Sequence, residues 1–190
     1  FFITCNLSYV AFSQATFKQT DILKSYKEAE ELINLGKFAV AQPFLQDFIQ
    51  KYENKTLDKS NLIYADAIYL KALCEKETAS PEEEKDLQYF ADNFKGHPKT
   101  NNAYFHLGDL AYARANYNDA LAFFDKVDEK SLTGKDVAEF EYKRAFANFA
   151  LKKFSQARMY FNQIAINKKH PYNEEALYYS GLSSYYLKDY

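Results

Sequence analysis

The side chains best suited to chemistry in this sequence are His97, His106, His170, Cys5, Cys74 and the acidic run Glu82-Glu83-Glu84. A metal centre would gather two or more His or Cys residues from one helix face or one loop, and no two of them stand at i, i+3 or i+4. His97 and His170 each precede a proline, which reads as two loop histidines at the surface. There is no glycine-rich phosphate loop, no Gly-x-Ser-x-Gly turn and no Cys/His pairing that chain order suggests. Cys74 follows Ala72-Leu73 in an apolar helical run, where a small buried thiol fits better than a reactive one. Ser80-Pro81 before the three glutamates has the form of an N-cap, a first-turn proline and acids that favour a helix start. Lys152-Lys153 and Lys168-Lys169 flank turns and are too short to track a nucleic-acid backbone. These residues point to no catalytic group, no metal and no cofactor.

The elements that would carry them are helices. Apolar residues make up 47% of the chain while mean hydropathy is −0.50, so apolar and charged residues are interleaved as in amphipathic helices. No uninterrupted apolar stretch of about 18 residues is present to span a membrane. Five Gly and four Pro are too few for an all-β chain with many tight turns. A net charge of −2 gives no electrostatic reason to expect nucleic acid or anionic membrane as partner. Seventeen Tyr and seventeen Phe, with no Trp, place a large ring at almost every helical turn, and such rings dominate the burial available to cores and interfaces.

The run FFITCNLSYVAF at 1–12 is mostly apolar and is followed by polar sequence. Ala11 and Ser13 put small residues where a signal peptidase looks, with cleavage expected before Gln14. Residues 1–13 thus read as the remnant of a secretory signal. After its removal Cys74 is the single thiol, which excludes an internal disulfide framework.

Self-similarity organises the rest. The segment from His97 and the segment from His170 align without gaps, matching His97-Pro98 with His170-Pro171, Ala103 with Ala176, Gly108 with Gly181, Tyr112 with Tyr185 and Tyr117 with Tyr190. Ala145 stands midway between Gly108 and Gly181, so the unit is about 36 residues. Within a unit, a small residue on one helix is followed twelve residues later by a small residue on the next: Ala29 and Ala41, Gly108 and Ala120, Ala145 and Ala157. Two antiparallel helices joined by a short turn approach closely only where small side chains face each other. The repeat predicts hairpins over 22–52, 61–95, 100–128 and 136–167, and an incomplete one over 173–190. The second lacks the twelve-residue partner and is expected to be looser. In the fourth, Glu141, Arg144 and Asn148 stand where large apolar residues are expected, which suggests a rotated first helix.

Tyr104, Leu107-Gly108, Ala120 and Phe124, with Pro98 and Pro171 opening units, resemble the tetratricopeptide repeat (TPR) pattern over nearly all of 22–190. The texture is also similar to exported Bacteroidetes repeat proteins, of which this would be an N-terminal fragment. The resemblance implies an all-α, right-handed superhelix of antiparallel helical hairpins, a tetratricopeptide-like solenoid occupying 14–190. It further implies an inner surface lined by the first helices. The family's groove positions fall on Tyr26, Phe105, Asp109, Tyr112, Tyr142, Phe149, Tyr178 and Tyr185. That face is aromatic rather than basic, so the expected role is a non-catalytic scaffold of the cell envelope, periplasmic or outer-membrane associated, binding a protein or peptide. Two other readings stand beside it: a glycan-binding helical-repeat protein, and the N-terminal interaction module of a longer enzyme or peptidoglycan-anchored protein. The incomplete last hairpin also offers a face for self-association.

Overall fold

The computed structural model describes residues 23–54 and 61–189. The signal-like segment 1–13 and Tyr190 lie outside the described residues. Those described are helical, with no strand among them. The chain divides into two compact units at His97–Pro98. The first holds α1 (23–34), α2 (Phe38–Asn54), α3 (Leu62–Glu77) and α4 (Glu83–Asn93). The second holds α5 (Thr100–Ala113), α6 (Tyr117–Phe124), a 3-10 turn at Glu129–Ser131, α7 (Lys135–Ala150), α8 (Phe154–Ile166) and α9 (Asn173–Leu187). Within each unit a helix packs on its successor in the chain, and in the second unit α7 also touches α5 and α9.

Every first helix of a hairpin ends in the same way. Gly36, Ala79, Ala115, Lys152 and Lys188 have positive φ, between 53° and 69°, and each lies just past the end of its helix. Each donates its N–H to the carbonyl three residues back, as Ala115 does to Tyr112 at 2.9 Å. The following residue donates five back: Lys37 to Leu32, Ser80 to Glu75, Asn116 to Ala111, Lys153 to Asn148 and Asp189 to Ser184, at 2.8–3.0 Å. This left-handed closure satisfies the last helical carbonyls and turns the chain back on itself. Only the first hairpin uses glycine, the residue suited to it. A side chain in the left-handed region costs about 1–2 kcal/mol, partly offset by the lower unfolded-state entropy of a non-glycine residue. Ala115→Gly and Lys152→Gly are therefore expected to stabilise by about 0.5–1 kcal/mol each, read as a higher urea midpoint at constant slope.

The twelve-residue spacing marks the closest helix approach. Ala29, Ala41, Ala120, Ala145 and Ala157 have no solvent exposure. The space they leave is filled one turn further on by Leu45, Phe124 and Phe161. Around them Phe105, Phe124 and Phe140 form one core, and Ala145, Ala157, Phe161, Ile164 and Ala176 another.

The second hairpin departs as its sequence suggests, yet its interior is closed. α2, α6 and α8 begin two residues after the left-handed residue, whereas α4 begins four after Ala79. Ser80 Oγ accepts from the Glu82 N–H at 3.3 Å, in a turn that precedes the helix. The longer turn places Leu87, Phe90 and Ala91 against α3, with Phe90 5.3 Å from the Tyr69 ring. Ala72 and Cys74 are fully buried on α3. Burial pushes the Cys74 thiol up to about 11, so it stays protonated at neutral pH. In a Cys5→Ser background, a thiol reagent should leave the native protein unlabelled and react fully once it is denatured.

The polar residues of α7 find partners in their surroundings. Arg144 lies with its guanidinium 4.6 Å from the Phe140 ring and 4.4 Å from the Tyr160 ring, and bonds Glu129 at 2.9 Å. Asn148 donates to the Arg144 carbonyl. Glu141 meets the His170 ring at 2.9 Å. This corrects the expectation of surface histidines: the His170 side chain is largely buried, and His97 is only 9% exposed, 3.4 Å from Asp66 and edge-on to Phe90. His106 is buried as well. The prolines make these segments loops, but the histidines turn inward because the carboxylates of α3 and α7 satisfy their ring nitrogens.

Candidate partner-binding surface

The eight residues expected to line a groove divide into three groups. Tyr26 (8% exposed) and Phe105 (2%) belong to the interior. Tyr26 lies 5.4 Å from Phe48, and burial, with the neighbouring Glu30, holds its phenol well above the usual range. Phe105 packs among Phe124 and Phe140. Neither offers a ring to a partner, because the position that faces a groove in the family pattern points here into the hairpin.

Tyr112, Tyr142 and Phe149 are half-buried and are brought together by a residue between them. Phe146 on α7 lies 5.9 Å from Tyr112, 6.2 Å from Tyr142 and 6.3 Å from Phe149. Tyr142 also stacks on Tyr172 at 4.5 Å. Burial, with Tyr179, Glu175 and Tyr172 nearby, pushes the Tyr142 phenol up to about 12, and burial raises Tyr112 further. Asp109 is next to this belt but is occupied by an ion pair with Lys143, which also bonds Glu139 at 2.8 Å. Burial works against the charge on Lys143, but the two carboxylates outweigh it and hold the ammonium above the ordinary lysine range. The Lys143 bond holds Glu139 below its ordinary range. The Glu139 contribution is present above the ordinary glutamate range and is lost as pH falls through its lowered value. The Lys143 contribution is lost only as pH rises through its raised value, so the cluster is intact across neutral pH.

Tyr178 and Tyr185 form the third group, at 65% and 64% exposure on α9. Each has its ring edge-on to its neighbour in sequence, Tyr179 and Tyr186. Leu177 and Tyr186 are also more than half exposed, so α9 shows solvent a broad apolar surface. Beside it lies an open cleft of about 430 Å³ lined by Phe149, Ala150, Lys152, Phe154 and Tyr186. Phe146, Phe154 and Tyr186 are missing from the sequence-derived set. Phe146 stands between the groove pair Tyr142 and Phe149, at the place Asp109 holds one unit earlier, whereas Phe154 and Tyr186 lie off the family's groove positions.

Among the described residues, no group of three or more His, Cys, Asp or Glu is placed to hold a metal ion, and no helix is long and apolar enough to cross a membrane. No family model matches the sequence, and neither does any curated protein. Solved structures do match in fold. One holds the nearly identical TPR-like repeats of a Podosopora anserina protein described as a kinesin light chain, and another is a single-substitution variant of that protein. Each is 14% identical to this chain at a TM-score of 0.60, covering 88% of this chain and 87% of the other. Sequential antiparallel helices, the repeated left-handed turn and this structural likeness together make the chain an all-α helical-repeat protein of tetratricopeptide-like fold.

Proposed function

We propose that the chain is a non-catalytic scaffold that holds a protein or peptide segment against the aromatic surface of its second unit. The carrying observation is the exposure of Leu177, Tyr178, Tyr185 and Tyr186 on α9, of which Tyr186 stacks on Phe154 and lies 6.2 Å from Phe149. Tyrosine suits such a surface, because its ring buries a large area while its hydroxyl keeps a polar partner. TPR-like folds in general serve as interaction scaffolds, which supports the reading at the level of fold. Of the eight groove positions, Tyr112, Tyr142, Phe149, Tyr178 and Tyr185 then form the binding surface, while Asp109 orders it through Lys143.

The surface is tested with rings whose removal leaves the core intact. The Tyr178→Ala/Tyr185→Ala double variant should melt like wild type and lose the partner that wild type captures from an envelope fraction. Leu35→Ala, an exposed residue of the first unit, should retain it. If the double variant still captures every wild-type partner, the aromatic-surface reading fails. The signal-like residues 1–13 support a place in the cell envelope, periplasmic or at the outer membrane. Mass spectrometry of the mature chain should find Gln14 at its N terminus, and a chain that keeps 1–13 would rule this out.

A further inference from the structure

The exposed residues of α9 fall on one stripe. Leu177, Tyr178, Gly181 and Tyr185 stand three, four, seven and eleven residues after Glu174, the spacing of a single helix face. Lys188 follows at fourteen, in the turn that closes the helix. All six are exposed. Gly181 is the midpoint of the stripe: Glu174 and Lys188 stand seven residues to either side of it, and Leu177 and Tyr185 stand four. Opposite charges thus mark the two ends, apolar side chains lie inside them, and a glycine holds the centre. A Cβ on Gly181 would meet nothing within 4 Å, so the backbone there is open to a close approach. Glu175 adds to the negative end, while Asp189, beside Lys188, is held by Arg158 of α8. The repeat does not impose these charges. Seven residues to either side of Gly108 stand Asn101 and Ala115, and to either side of Ala145 stand Ala138 and Lys152.

We propose that α9 pairs with the α9 of a second copy of this chain, antiparallel, about a two-fold axis at Gly181. The proposal rests on the reading of α9 as a protein-binding surface and names what that surface holds. A two-fold axis sets residues equally distant from the centre opposite one another. Glu174 of each copy then faces Lys188 of the other, and Leu177 of each faces Tyr185 of the other. A parallel pairing would instead set Glu174 against Glu174 and Lys188 against Lys188, so the charges select the antiparallel sense. Glycine from both copies at the axis lets the helices approach closely, and the tyrosine rings bury area while their hydroxyls keep to the wet rim. One helix from each copy makes a small interface, so the dimer should dissociate on dilution.

The test is sedimentation of the purified full chain over a dilution series, which should show a monomer–dimer equilibrium that weakens with added salt. Glu174→Lys and Lys188→Glu each place like charges at both ends of the contact and should weaken dimerisation about tenfold. Mixed in equal amounts, the two variants should pair with each other as tightly as wild type, because every end then meets its opposite. A folding defect cannot produce that rescue. Gly181→Leu, which has room in the single chain, should melt no lower than wild type and weaken the dimer at least about tenfold. A chain that stays monomeric at every concentration, a dimer indifferent to both charge reversals, or a mixture that fails to pair overturns the proposal. The Tyr178→Ala/Tyr185→Ala variant reads the scaffold separately. A monomeric wild type whose envelope partner is lost in that variant overturns the dimer and gives α9 to the foreign protein. Capture retained there, beside charge-dependent dimerisation, keeps the dimer and removes the foreign partner from this surface.

Discussion

Phe140→Ala is expected to destabilise the second unit by about 3–5 kcal/mol. Phe140 has no solvent exposure and sits where three elements converge. Its ring is 5.5 Å and nearly perpendicular to Phe124 of α6, and 6.4 Å from Phe105 of α5. It also forms one of the two aromatic faces between which the Arg144 guanidinium is held. Truncation removes the transfer energy of the ring, leaves a cavity that three helices must close, and strips one wall from a charged group with a buried Nε. Phe140→Leu retains most of the volume and should cost about 1–2 kcal/mol. Urea unfolding of both variants, with slopes compared to exclude a changed denatured state, decides the matter. Equal losses for Ala and Leu would mean that cavity formation is not the cause.

The second large effect is a contrast between two glycines that the repeat makes equivalent. A Cβ on Gly108 would stand 2.4 Å and 2.5 Å from Phe124 ring carbons, inside any real contact. Phe124 is itself fully buried, so its ring has nowhere to retreat. Gly108→Leu should destabilise by about 3 kcal/mol, and Gly108→Ala by about 1–2 kcal/mol once its helix-propensity gain of roughly 1 kcal/mol is subtracted. A Cβ on Gly181 meets nothing within 4 Å. Gly181→Ala should accordingly stabilise α9 by about 0.5–1 kcal/mol. Opposite signs at Gly108 and Gly181, measured by thermal or urea unfolding, are the signature of a helix crossing at one and open space at the other. Equal destabilisation at both would place the crossing elsewhere.

That pair of glycines also shows how far the sequence could be read. Gly108, Ala120, Ala145 and Ala157 announce the hairpin crossings because a close approach constrains residue size, and size is visible in the residue type. The irregular second hairpin was visible for the same reason: no small residue stands twelve after Ala72, and the structure answers with a longer turn before α4. Rings and histidines behave differently. Phe105 and Phe149 are both groove positions in the family pattern, yet one is interior and the other lines an open cleft. His97 and His170 sit in proline loops that look exposed, and turn inward to Asp66 and Glu141.

The local pattern therefore determined the elements of this protein: helices from apolar periodicity, hairpins from small-residue spacing, and repeats from their recurrence. These depend on neighbours within about one unit of sequence, so the chain states them directly. Only the tertiary structure decided which rings are buried and which stay exposed. The exposure of Tyr185, the occupation of Asp109 by Lys143, and the stacking of Tyr186 on Phe154 all depend on what the neighbouring hairpin brings to the same place. A ring's type states its capacity to bury area, and its surroundings alone determine whether that capacity is already used.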